Sequence, residues 1–209
     1  MSEALELFYE KQGKLLVKNL QSRHFDAYYC RTAADALEKA LELIPEGSSI
    51  GWGGAVSAQQ IGLISALKNG NYNAIDRDEW EDREAAMMEH LRADVFITGA
   101  NAISLDGQMV NIDGTGNRVA AIVYGPKSVI VIAGMNKVMP TLDDAMQRAR
   151  NVAAPINQQR FLLDAPCSQT GSCSDCKSAG CICNQILVTR NCRPNGRIKF
   201  ILVGESLGF

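Results

Sequence analysis

The chain has 209 residues, 46% of them hydrophobic, enough to bury a sizeable core in one large domain or a domain with a small appendage. Its net charge of −2 and pI of about 5.7, with no basic face, argue against nucleic acid as a partner. The charged, helix-like start MSEALELFYEKQ is not a signal peptide, and every long apolar stretch is broken by Gly, Lys or Asn, so a cytoplasmic protein without a membrane span is expected.

Residues 2–24 place Leu5, Phe8, Tyr9, Leu15, Leu16 and Leu20 at helical spacing, with a break expected near Gly13. A short strand, Phe25 to Cys30, follows. Thr32 is placed to cap a helix over 33–43, which carries Leu37, Ala40, Leu41 and Ile44 on one face and closes at Pro45-Glu46-Gly47. Ser48 to Trp52 reads as a strand, 53–57 as a loop, and 58–68 as a helix. Tyr72 to Ile75 reads as a strand and Asp78 to Leu91 as a helix. Val95-Phe96-Ile97 and Gln108 to Ile112 have strand length and stop at Gly and Asn. Asp106-Gly107 between them is a strong hairpin-turn signal. Ser128 to Ala133 is the clearest buried strand. Leu142 to Val152 reads as a helix, acidic in its first turn and basic in its last. Arg197 to Val203 is a final strand. Strands alternating with helices predict an α/β fold, a twisted and mostly parallel sheet covered on both faces. No repeat or linker is evident, so residues 1–209 read as a single domain. The composition shifts only in the Cys/Ser/Gly segment, a loop at 165–184 before the last strand.

Three stretches stand where a parallel sheet collects ligands, at strand ends. The first is Gly51-Trp52-Gly53-Gly54-Ala55-Val56-Ser57. Glycines between a strand and a helix expose backbone N–H groups to an anion, although the same residues also make a tight turn, and the pattern is neither a dinucleotide fingerprint nor a P-loop. The second pairs the loops 98–102 and 113–118. Here Asn101, Asp113, Asn117 and Arg118 can meet a small polar ligand, with Arg118 able to fork a carboxylate. Turn capping by the acid and amides, and a surface ion pair for the arginine, is the plainer alternative. The third is Lys137, which follows the best strand and either faces the same cleft or is a solvated loop lysine. His24 and His90 are isolated and are assigned no role.

Six of the seven cysteines lie between Cys167 and Cys192, spaced x5, x2, x4, x and x8. Without an export signal this favours metal binding over disulfides, and a Cys-x2-Cys pair with further cysteines nearby suits a four-thiolate site for zinc or an iron–sulfur cluster. A reduced or disulfide-linked loop is the alternative. The spacing matches neither a ferredoxin run nor a zinc ribbon.

The run GANAI-x-x-DG-x-x-VNIDGTGNR, followed by YGPK and IAGMNK, resembles the lactate-utilisation (LUD) domain family from about residue 45 to the C-terminal VGESLGF. It is distantly similar to the ribose-5-phosphate isomerase, CoA-transferase and initiation-factor-2B-like sugar isomerase superfamily, an analogy of fold. The resemblance implies that superfamily's sheet, an anion at the 51–57 loop, and metal ligands at Cys167, Cys173, Cys176 and Cys183, with Cys181 and Cys192 extra. It also implies a part in oxidising L-lactate to pyruvate beside separate iron–sulfur redox subunits. Where the sugar isomerases carry an acid after Gly-Ala, this chain has Asn101, and an amide is no general base. The transferase glutamate has no counterpart either.

The expected site therefore comprises Gly51, Gly53, Gly54, Ser57, Asn101, Asp113, Asn117, Arg118 and Lys137 around a small anionic metabolite. A stand-alone sugar-phosphate isomerase or transferase, with Asp113 or Asp106 as base, is one alternative. A non-catalytic metal-bearing accessory or electron-transfer protein is the other. Whether the chain forms a homo-oligomer, and whether it is catalytic on its own, are left open by the sequence.

Overall fold

In the computed structural model, which describes residues 2–209, six strands form one parallel sheet. They are β1 (Asp26–Cys30), β2 (Ser49–Gly53), β3 (Asn73–Ile75), β4 (Val95–Gly99), β7 (Ser128–Gly134) and β10 (Ile198–Val203), in spatial order β1-β10-β7-β4-β2-β3. Every pairing is parallel, as a sheet covered on both faces requires. Helix α1 (Glu3–Ser22) precedes β1, and α2 (Ala33–Glu42), α3 (Val56–Gln60), α4 (Leu63–Asn69), α5 (Arg83–His90) and α6 (Asn117–Val123) run between these strands.

The strands alternate their side chains between two cores. Phe96, Val129, Val131, Phe200 and Leu202 pack with Leu16 and Leu20 of α1 and Ala121 and Ile122 of α6. Val95, Ile97, Ile130, Ile132, Ile201 and Val203 pack on the other face with Ala36 and Ala40 of α2 and Leu63, Ile64 and Leu67 of α4. Each large aliphatic or aromatic side chain so buried contributes about 1.5–3 kcal/mol. Together they hold the strand ends, and hence the site, in a fixed frame.

A second sheet, absent from the sequence reading, takes β5 (Ala102–Ser104), β6 (Met109–Asp113), β8 (Val138–Met139) and β9 (Gln185–Thr189) in the order β8-β5-β6-β9. The Asp106-Gly107 hairpin is present: β5 and β6 are antiparallel and Gly107 has φ +92°. The two apolar runs on either side of 98–107 thus belong to different sheets, and the expected loop 98–102 shrinks to Ala100 and Asn101. Behind the second sheet lie α7 (Leu142–Arg148), a π-helical turn (Ala149–Ala153) and α8 (Ala154–Gln158); α9 (Pro166–Thr170) opens the cysteine segment.

Several boundaries differ from expectation for local reasons. Helix α1 runs unbroken through Gly13, which is buried under Tyr29; a Cβ there would overlap the Tyr29 ring. The expected helix 58–68 starts earlier and is cut in two by Gly62, whose φ of +83° no α-helix sustains. The helix expected from Asp78 starts at Arg83, because the Asp82 carboxylate accepts from the N–H groups of Glu84 and Ala85 and so caps it there. The helix expected to stop at Val152 continues to Gln158; Pro155 lacks an N–H, and the wide turn stands just before it. The cysteine segment is followed by β9 before the final strand.

Candidate functional site

The strand order reverses between β2 and β4, and at such a point the loops leaving the two strands separate and open a crevice. Gly53 pairs with Thr98 at this edge, and Gly54 O accepts from Gly99 N at 3.2 Å. The residues that crowd into the crevice are cationic.

Arg118 lies in the first turn of α6 and is only 9% exposed. Its stem runs beside Gly53, where a Cβ would be 3.6 Å from Arg118 Cβ, and its guanidinium fills the space a side chain on Gly54 would need. Gly54 has φ +58°, so glycine is favoured there twice over. Arg118 Nη2 donates to Asn101 Oδ1 at 3.2 Å and to the carbonyl of Ile112, while its Nε is buried without a partner.

Lys137 ends a 3-10 turn after β7 and is 4% exposed. Its Nζ donates to Ser57 Oγ at 3.1 Å. Burial, reinforced by the nearby Arg148 and Arg118, lowers its ammonium to about 7. It is therefore a desolvated amine and not the solvated loop lysine of the plainer reading. Arg148, in the last turn of α7, donates through Nε to Asn136 O at 3.1 Å and through Nη1 to Asn101 O at 2.5 Å. Asn101 thus touches both arginines, one through its side chain and one through its main chain. Among the described residues, no Asp or Glu carboxylate is within ion-pair distance of Arg118, Lys137 or Arg148.

A strap formed by residues 205–209 crosses over this group. Leu207 N donates to Asn136 Oδ1 at 3.1 Å, Gly208 N to Gln60 Oε1 at 2.6 Å, and Phe209 O accepts from Arg148 Nη1 at 3.3 Å. A Cβ on Gly208 would come within 2.9 Å of Lys137 Nζ and 2.8 Å of Ser57 Oγ, so the strap's backbone lies close against that pair.

The structure thus brings together Gly53, Gly54, Ser57, Asn101, Arg118 and Lys137. It does not bring in Gly51, Asn117 or Asp113 as ligand contacts. Gly51 makes room for the ring of buried His90. Asn117 accepts from Thr115 Oγ1 at 2.8 Å. The Asp113 carboxylate accepts from Arg118 N and Val119 N at 3.0 and 3.2 Å, capping α6 where Gly116 has no side chain to do so. It positions Arg118 through its backbone. The positive charge comes from side chains and not, as the glycine pattern suggested, from a helix end: α3 has five residues and starts at Val56. Arg148, Asn136, Gln60 and the strap escaped the sequence reading. A basic residue in a helix's last turn reads as a dipole partner, and nothing in the spacing signals otherwise.

The cysteines gather around a second place. Cys167, Cys173, Cys176, Cys181 and Cys183 line one cavity of about 70 Å³ with Ala154, Pro155 and Ile186. Burial and the neighbouring Cys181 push the Cys183 thiol up to about 12, while bonds from Ser178 lower Cys176. Cys192 is not among them: it is a core residue whose Sγ donates to Pro194 O at 3.0 Å. The donor chemistry fits a thiophilic metal. Among the described residues, however, no three His, Cys, Asp or Glu side chains converge closely enough to enclose an ion. No helix among them is long and apolar enough to cross a membrane.

No curated protein matches the sequence. The structure is similar to a DUF162 family protein from Deinococcus radiodurans, with a TM-score of 0.55 at 10% identity over 93% of this chain and 97% of that one. Partial likenesses extend to ribose 5-phosphate isomerase A from Neisseria gonorrhoeae (TM-score 0.34, 24% identity, 51% and 52% of the two chains) and to eIF2B delta from Chaetomium thermophilum (0.38, 16%, 65% and 57%). The LUD domain profile matches residues 13–203, a span that holds the crevice, its three cations and the cysteine cavity, and the chain belongs to the LUD-domain family.

Proposed function

We propose that the crevice binds a small anion, a carboxylate or phosphate, and that the protein serves lactate utilisation by holding lactate, pyruvate or a related metabolite there. The observation that carries this reading is the buried pair Arg118 and Lys137, joined by the half-buried Arg148, with no Asp or Glu within ion-pair distance among the described residues. Burying a cation without a counter-charge is costly, and a bound anion supplies what the fold leaves out. The unpartnered Arg118 Nε is suited to a carboxylate oxygen, and Arg148, whose Nε and Nη1 already donate to main-chain carbonyls, adds positive charge beside it. A role in L-lactate oxidation beside iron–sulfur redox subunits is consistent with such a ligand. A sugar isomerase would need a carboxylate base. Asp113 is engaged in capping α6, and Asp106 is held by Arg23 at the hairpin turn.

The test is calorimetry with lactate, pyruvate and inorganic phosphate on the wild type and Arg118→Ala. A charge-assisted hydrogen bond is worth about 1.5–3 kcal/mol, so the variant should bind roughly ten- to a hundred-fold more weakly. Equal affinities would remove Arg118 from the site, and no binding of any of these anions to the wild type would overturn the reading.

A second reading concerns the thiol cavity, whose five cysteines suit zinc or an iron–sulfur cluster. Cys167, Cys173, Cys176 and Cys183 are the proposed ligands, with Cys181 able to replace one of them. Elemental analysis of anaerobically purified protein tests it; protein free of both zinc and iron would refute it.

A further inference from the structure

We infer that Lys137 is a catalytic amine, forming an imine with the carbonyl carbon of a small 2-oxo acid whose carboxylate rests on the arginines. The inference deepens the anion-site reading and rests on it.

The geometry supplies the parts. The amine stands at the carboxyl end of the central strand and contacts a hydroxyl, Ser57 Oγ, at 3.1 Å. Among the described residues no Asp or Glu holds it as a fixed ammonium; the strap's Glu205 is turned away, its Oε1 accepting from Ala33 N at 2.8 Å, and Phe209 O at the end of the strap accepts from Arg148. The charged groups facing it, Arg118 and Arg148, both favour the neutral amine, and burial acts in the same direction. A lysine desolvated beside other cations is a nucleophile at neutral pH. Glycines line its surroundings: a Cβ on Gly99 would be 3.9 Å from Nζ and one on Gly208 only 2.9 Å. Since Nζ is buried under residues 205–209, a reactant reaches it as that strap yields.

The step balances without any oxidant or reductant. The Nζ lone pair forms a C–N bond to the carbonyl carbon, the carbonyl π pair moves to oxygen, and that oxygen takes one of the two protons of the attacking nitrogen. The carbinolamine then loses its hydroxyl and the nitrogen proton as water, leaving the imine. Ser57 is placed to pass that proton from nitrogen to the departing hydroxyl. Arg118 and Arg148 hold the carboxylate so that its neighbouring carbonyl faces the amine, and their charge opposes protonation of the nucleophile.

Borohydride trapping tests this. The protein is incubated with pyruvate or glyoxylate, reduced, digested and mapped by mass spectrometry. The expected result is one hydride-dependent adduct, on the peptide carrying Lys137, competed by excess phosphate and absent with lactate, which has no carbonyl. Lys137→Arg should lose the adduct while keeping the charge, and mapping in the wild type stands even where that variant fails to fold. Calorimetry on the same samples separates the two readings. An oxo acid that binds but leaves no adduct on Lys137 overturns the imine alone. Adducts spread over surface lysines overturn it as well. No binding of any anion overturns the site and the imine with it.

Discussion

Replacing Lys137 with Met removes the buried charge while keeping a side chain of similar length, and the response of stability to pH then reports on the site. The Lys137 ammonium is lowered from an ordinary 10.5 to about 7 by burial and by the flanking Arg148 and Arg118. Between those values the unfolded chain binds a proton that the folded chain does not, so stability rises with pH across this window. Below pH 7 both states are protonated and the full cost of burying the cation is present. As pH climbs from 7 toward 10.5 that cost is relieved. A slope approaching 1.36 kcal/mol per pH unit, reduced near pH 7 where the folded amine is half titrated, gives about 2 kcal/mol between pH 7 and pH 9. For a chain of this size that corresponds to about 4–8 °C in Tm. The assay is urea unfolding of wild type and Lys137→Met at several pH values, read as the difference between the two so that other titrating groups cancel. The gap should move in favour of the wild type by that amount as pH rises. Parallel curves would mean that Lys137 titrates normally in the folded protein, and the picture of a desolvated amine would fall.

Three further outcomes follow from the same structure. Asn101→Asp places a carboxylate against Arg118, within the 3.2 Å contact the amide now makes, and should abolish anion binding while leaving the protein folded; undiminished lactate or phosphate binding by calorimetry would contradict the site. Gly13→Ala should destabilise by about 1–3 kcal/mol in chemical denaturation, despite alanine's helix preference of about 1 kcal/mol, because its Cβ meets the Tyr29 ring; a more stable variant would show that the ring moves aside freely. With ribose 5-phosphate the protein should show no isomerase turnover, since the amide of Asn101 stands among the cations in place of a base; rates of about one per second or more would refute that.

The large parallel sheet was legible because its strands are unbroken apolar runs that stop at glycine, and period and length leave few other readings for segments such as Ser128–Ala133. The hairpin was legible from Asp106-Gly107 alone. The second sheet was not: β8 has two residues, and β9 follows so closely on the cysteines that its β-branched pattern was absorbed into their loop. Of the crevice, the strand-end glycines, Arg118 and Lys137 could be named, because residues at the ends of parallel strands share an edge. Which of them face a ligand could not. Asp113 turned to its own helix and Gly51 to His90, both being decisions of side-chain packing. Arg148 arrives from a helix behind the other sheet, a contact of long sequence separation that no local pattern encodes.

The position of β10 has a consequence for how the chain is made. It is the last of the six parallel strands to be synthesised, yet it lies between β1 and β7 and is, among the described residues, the sole strand paired with β1. Until residues 198–203 leave the ribosome, the nascent sheet has a gap, with two open strand edges and the apolar side chains of Phe25, Ala27, Val129 and Val131 uncovered. Exposed edges invite pairing with other chains. The long α1, tethered to β1, then lacks the Phe200 and Leu202 side chains that belong to the same cluster. Folding of this sheet is therefore completed late and from both ends of the sequence at once. A chain interrupted before residue 198 is expected to fall to chaperones or aggregation instead of surviving as a smaller stable unit.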